Sequence, residues 1–237
     1  MNRDWSPKDV RDLKDHMNAR PKRQYHTIAQ LMDRTTDSIR NKVFALRNEG
    51  RNDWMDEERI GFFDIESSHL KANIGNMISY CIKPMGKPEV FNAWTRREAI
   101  NWDLMDRRIM RDLIKELGNY DLIVTYYGTG FDNKFIRTRA MILRLPGFPT
   151  CGQLKHFDLY YAVKGRMSLY SNRLAVATQA LGIHGKTNLP PEIWGPARLG
   201  DKVAMKLVEE HNREDVKILE ELYYELIPFV KVIRKSI

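Results

Sequence analysis

The chain is poor in several things that would set its class. No apolar run approaches the roughly 18 residues that a membrane span needs, so no spanning helix is expected. The opening residues, MNRDWSPKDV, hold no apolar core of a secretory signal. Only two cysteines occur in 237 residues, Cys81 and Cys151, with no Cys-x-x-Cys spacing. They read as reduced, incidental thiols of a cytoplasmic chain rather than as a disulfide framework. There is no internal repeat and no low-complexity tract.

Acidic residues are also in deficit. Against 39 Lys and Arg stand 31 Asp and Glu, for a net charge of +8. The excess is spread along the chain rather than held in a tail. It suits a polyanionic partner such as nucleic acid, because Lys and Arg gain by displacing counterions condensed on phosphates. A plain soluble basic protein has the same balance, since charge speaks to partners and not to fold. With 43% hydrophobic and 30% charged residues the composition is that of a globular protein, long enough for one large domain or a large and a small one.

What is present falls into two parts. The polar stretch RNEGRNDWMDEERIG, residues 47–61, is the best boundary, with Gly50 as a helix stop. Before it the spacing predicts three short helices. SPKDVRDLKDHM opens with Ser6 as N-cap and Pro7 at the first helical position. YHTIAQLM follows with Thr27 as its cap, and Asp33 and Arg34 form a tight turn. TTDSIRNKVFALR then places Ile39, Val43 and Leu46 on one stripe, with Arg40, Asn41, Lys42 and Arg47 largely off it. Helix, tight turn and basic helix is an arrangement whose second helix can enter a DNA major groove. A small helical bundle that docks on a protein has the same pattern.

After the boundary, strands and helices alternate. RIGFFDIESS, NIGNMISYCIK and PEVFNAWT read as three strands. RREAINWDLMDRRIMRDLIKEL reads as one amphipathic helix closed by Gly118. DLIVTYYG is a buried strand. DNKFIRTRAMILRL is a helix stopped by Pro146, NRLAVATQALGI is another, and a helical tract runs from about Asp201 to the C-terminus. The fold class expected is an α/β sheet with acids at strand ends.

Those acids carry the chemistry. Asp64 and Glu66 end the first strand on one face, because residues two apart on a strand share a face. Side by side, they repel unless water solvates them or a cation stands between them. Asp132 follows the fourth strand at the start of a helix, where it could also serve as N-cap. Asp215 lies on the late helix with His211 four residues before it, so both share a helix face. Carboxylates suit Mg²⁺ or Mn²⁺. Two such ions about 4 Å apart can clamp the attacking and leaving oxygens of a phosphodiester displacement. His211 could hold or deprotonate the attacking water. Asp158, in HFDLYY, reads as structural or supporting. Tyr126, Tyr127, Tyr160 and Tyr161 suit either core packing or base stacking. His184 is a loop residue.

Two resemblances follow from these residues. TIAQLMDRTTDSIRNKVFAL, with Trp5 before it, resembles Myb/SANT-like helix-turn-helix modules. That implies a nucleic-acid-binding domain over residues 1–52, with Arg34, Thr35, Ser38, Arg40, Asn41 and Lys42 as contact residues. FFDIES, IVTYYGTGFDNKFIRTRA and HNREDVKILEEL, in that order, resemble the three motifs of the DEDD exonucleases of the ribonuclease H-like superfamily, nearest to the YprB-like subgroup. HFDLYYAVKG and LYSNRLAVATQALGI are similar to the linking segment of that subgroup and of the proofreading domain of replicative polymerases. The resemblance implies a ribonuclease H-like mixed sheet flanked by helices over residues 58–237. It implies a 3′–5′ exonuclease holding two Mg²⁺ or Mn²⁺ ions through Asp64, Glu66, Asp132 and Asp215, with DNA as partner in preference to RNA and no membrane. Asp64 would be shared by both ions and Asp132 would act through a bound water.

The chain departs from the family pattern twice. Tyr127-Gly128 stands where the subgroup has Asn-Gly. In the third motif, His211 stands at the spacing of the family's tyrosine. A ribonuclease or structure-specific endonuclease with the same site, and a non-catalytic DNA-binding regulatory protein, are the alternatives. The presence of all four acids favours an enzyme, either free-standing or a subunit of something larger.

Overall fold

The structure is a computed structural model that describes residues 4–19, 23–48, 58–101, 104–150, 152–185, 188–230 and 235–236. The N-terminal part is helical. Helix α1 (Pro7–Asn18) starts at a capping box: Ser6 accepts the Asp9 N–H and Asp9 accepts back from Ser6. Helix α2 (Tyr25–Leu31) starts earlier than the sequence predicts. Gln24 occupies its cap position and Thr27 lies inside the helix. Asp33 then turns through the left-handed region at φ 50°, and helix α3 (Thr36–Asn48) begins with Thr35 Oγ1 accepting the Ser38 N–H. The stripe Ile39, Val43 and Leu46 is buried against Leu13, Met17, Ile28 and Ala29. Gly50 and the side chain of Arg47 lie outside the described residues.

The rest is built on a mixed sheet. Its strands are β1 (Ile60–Ser67), β2 (Met77–Pro84), β3 (Val90–Ala93), β4 (Leu122–Thr125), β5 (Lys155–Asp158) and the two-residue β6 (Lys235–Ser236), in the order β3-β2-β1-β4-β5-β6. β1 pairs antiparallel with β2 and parallel with β4, and β5 continues parallel to β4. Every residue of β4 is buried, as a strand covered on both faces requires. Alternation along β1 divides the core. Phe63 and Ile65 join one cluster with Ile109, Leu113, Phe135 and Ile136. Phe62 joins the other with Val124, Val163, Val216 and Leu219.

Helices flank both faces: α4 (Arg96–Ile100), α5 (Arg107–Leu117), α6 (Asp132–Ile142), α7 (Leu159–Arg166), α8 (Leu174–Ala180), α9 (Pro191–Arg198) and α10 (Lys202–Leu226). Among the described residues no helix is long and apolar enough to cross a membrane.

Two expectations are corrected, and one segment that the sequence leaves unassigned takes shape. The helix expected over residues 96–117 is two helices, because the chain breaks so that Asp106 can turn inward. Met105 takes φ 44°, and the fully buried Asp106 accepts the Met77 N–H at 2.8 Å and the Arg139 Nε–H at 2.9 Å. The segment around HFDLYY forms a fifth strand and helix α7, too short for periodicity to reveal. The C-terminal helical tract stops at Leu226, where Pro228, which lacks an N–H, sits in a single 3₁₀ turn (Ile227–Phe229).

Candidate active site

The four predicted acids are delivered by three parts of this frame. On β1, Asp64 and Glu66 point to the same face as Phe62, the side on which α10 packs. The β1–β2 register slips between Glu66 and Ser67, a bulge of the kind that re-aims side chains beside active sites. On α10, the i, i+4 spacing sets His211 and Asp215 toward this strand end. His211 Nε2 lies 3.6 Å from Glu66 Oε1 and 3.8 Å from Asp215 Oδ2, with all three side chains at most 17% exposed.

Asp132 comes from a third direction. It is the first residue of α6, and Phe131, not Asp132, holds the cap position. The side chain is buried. Burial pushes its carboxyl up to about 7, and the charge of Asp158 adds to the rise. The backbone N–H groups of Asp132 and Ile65 pull the other way. The Ile65 amide lies between Asp64 and Glu66 in the chain, so Asp132 faces the same strand end. The structure therefore brings Asp64, Glu66, Asp132, His211 and Asp215 to one end of β1.

As the side chains stand, no three acid, histidine or cysteine groups among the described residues converge tightly enough to clasp an ion. The donor set nevertheless fits a hard divalent cation in its chemistry. It consists of carboxylates, and Asp132 is a buried acid whose ionised form is disfavoured by burial and by a like charge, which a cation would reverse.

The sequence of residues 61–227 matches the family described as the RNase_H superfamily. The chain belongs to the RNase H superfamily. No curated protein sequence matches it. Among solved structures it is similar to the family B DNA polymerase from the hyperthermophilic archaeon Pyrobaculum calidifontis, with a TM-score of 0.57 and 20% identity over 74% of this chain and 25% of that one. The chain thus spans about a quarter of that polymerase's length, and at this identity the likeness concerns the fold.

In this RNase H superfamily chain the turn before Asp132 is tightly built. Tyr127 is held at φ 66°, a left-handed conformation costly for a bulky residue. Asp158 holds it there by accepting the Tyr127 N–H at 2.7 Å and the Thr129 N–H at 2.9 Å, while also capping α7 through the Tyr160 N–H. A Cβ at Gly128 would stand 2.1 Å from Thr125 Oγ1 and 2.7 Å from its Cβ, so that position accepts no side chain, and one at Gly130 would stand 2.4 Å from the Tyr127 ring and displace it. Asp158 is a backbone clamp, as its supporting role in the sequence reading anticipates.

The tyrosines differ in exposure and in their partners. Tyr126 is tied through its hydroxyl to the Asn172 carbonyl at 2.6 Å. Tyr127 is 47% exposed and packs edge-on to Tyr160 with ring centroids 4.9 Å apart. With Asn172 and Arg173, these three rings line a cavity of about 400 Å³.

One feature of the site escaped the sequence reading. Asn212 is fully buried and donates its amide to Asp64 Oδ2 at 2.6 Å. The signal was a lone amide on the apolar stripe of α10, between Val208 and Val216. The superfamily match does not reach α3 or the turn before it, where the expected nucleic-acid contacts lie. There the role given to Arg34 is corrected. Its guanidinium sits 3.9 Å over the Trp5 ring and 3.2 Å from Asp9, with the side chain 3% exposed, so it holds the helices together and does not face solvent. Arg40 and Asn41 are exposed, Lys42 is half-buried, and Arg40 pairs with Asp37 at 3.2 Å. Thr35 spends its hydroxyl on the α3 cap.

Proposed function

We propose that this chain is a metal-dependent 3′–5′ exonuclease that hydrolyses phosphodiester bonds of DNA. The observation that carries the reading is the meeting of acids from β1, α6 and α10 at one strand end, with His211 facing both Glu66 and Asp215. Asp64, Glu66, Asp132 and Asp215 would hold two Mg²⁺ or Mn²⁺ ions. Such ions supply a nucleophile at neutral pH and neutralise charge on the phosphate. The protein's own part is to orient and to move a proton. His211 is placed to take a proton from an attacking water and is steadied by the carboxylates on either side. The turn of Tyr127 and the tyrosine-lined cavity beside it suit an unpaired base, because any base can stack on an aromatic face. The net charge of +8, spread along the chain, supports a nucleic-acid substrate.

In the same reading, residues 1–52 form a helix-turn-helix domain that recruits residues 58–237 to duplex DNA, with Arg40, Asn41 and Lys42 of α3 among its contacts. The test is digestion of 5′-labelled single-stranded DNA, duplex DNA and RNA with Mg²⁺ or Mn²⁺. A ladder shortening from the 3′ end of DNA is expected. Internal cuts, or cleavage of RNA alone, would replace the exonuclease reading.

A further inference from the structure

Asn212 occupies a place on α10 where an apolar residue would pack without any hydrogen-bonding requirement. Burying its amide costs free energy unless both ends find partners. Both ends do. Nδ2 donates to Asp64 Oδ2 at 2.6 Å, and Oδ1 accepts from Ser79 Oγ at 3.2 Å. Ser79 is itself fully buried, on β2 directly opposite Glu66. One hydrogen-bonded chain, Ser79 to Asn212 to Asp64, therefore joins β2, α10 and β1 beneath the acids.

The direction of the chain is set by Asp64, whose carboxylate can only accept and so takes the amide N–H. The Asn212 oxygen is then left to accept the Ser79 hydroxyl. A reversed amide would aim oxygen at oxygen across the shortest contact. The bond to Asp64 is charge-assisted and correspondingly strong.

We propose that Asn212, oriented by Ser79, is a positioning residue that fixes the Asp64 carboxylate for a divalent cation. The proposal rests on the nuclease reading above. Groups behind a metal-ligating side chain set its angle, and their loss typically lowers metal affinity or activity by about 10- to 100-fold.

The experiment is Mn²⁺ titration of the full chain by calorimetry, with melting and single-stranded DNA binding measured alongside. Asn212→Ala should bind Mn²⁺ about 10-fold or more weakly while still binding single-stranded DNA, and its cleavage should recover as Mn²⁺ is raised. Ser79→Ala should show a smaller loss in the same direction. Ser79→Thr, which keeps the hydroxyl, should stay near the parent. Parent-like Mn²⁺ affinity in Asn212→Ala would overturn the proposal, and if that variant does not fold, parent-like affinity in Ser79→Ala does so. A parent chain that binds Mn²⁺ and cuts DNA while both variants match it sinks only the role of Asn212. A parent chain that binds no Mn²⁺ sinks the nuclease reading and this role with it.

Discussion

His211 Nε2 stands 3.6 Å from Glu66 Oε1, so a side chain of the long final helix faces the acid that ends the first strand. This contact joins two sequence motifs nearly 150 residues apart, and the proposed function makes His211 the proton acceptor. Replacing His211 by Ala should slow cleavage by roughly 100-fold or more, the range that general bases contribute. His211→Tyr should keep appreciable activity, since the DEDD exonucleases that the motifs resemble carry tyrosine at this spacing. An alanine variant with full activity in single-turnover assays would leave His211 as a mere neighbour of Asp215.

Asp64 should matter more. Asp64→Asn removes a charge from the group and should lower the rate by roughly a thousandfold or more, the equivalent of several kcal/mol of charge stabilisation. Fold and DNA binding should persist by circular dichroism and by filter binding. Cleavage at the parent rate would move the active site elsewhere.

Asp132 predicts a pH dependence of stability. Its folded-state carboxyl is raised to about 7 from an ordinary 3.8, first by burial and then by Asp158. The folded chain therefore keeps a proton that the unfolded chain has released. The stability from this group is full below the ordinary value and is lost as pH rises through about 7. Without metal, the melting temperature should fall between pH 5.5 and 8, and Asp132→Asn should lessen that fall. Mn²⁺ binds the ionised acids, so it should raise the melting temperature more at pH 8 than at pH 5.5. Equal metal shifts at the two pH values would remove Asp132 from the set.

The N-terminal helices should separate two kinds of arginine. Arg34→Ala breaks a nearly buried pair with Asp9 and uncovers Trp5, and should cost about 3 kcal/mol of stability in this part by denaturant titration. Arg40→Ala lies on the surface and should change stability by no more than about 0.5 kcal/mol. It should instead weaken duplex DNA binding and flatten its salt dependence, as should deletion of residues 1–52. Cleavage of a short single strand should survive that deletion. Unchanged duplex affinity in both variants would favour a protein-docking role for these helices.

Much of this protein could be read without its structure. The alternation around FFDIES places Asp64 and Glu66 on one strand face, and the i, i+4 spacing pairs His211 with Asp215. Ile39, Val43 and Leu46 announce a buried stripe, because local periodicity reports which side chains an element turns inward. The elements that escaped are those whose shape answers to distant partners. Nothing within residues 96–117 signals that the helix must break, since the reason is Met77 and Arg139 waiting for Asp106. Strand β5 is four residues long and exists by pairing with β4. Arg34 looks like a phosphate contact until Trp5 and Asp9 close over it. Asn212 reads as one more polar residue in HNRED until Ser79 and Asp64 meet it from two strands. Period and charge belong to the chain, whereas the partner of a buried polar group is chosen only when distant segments pack.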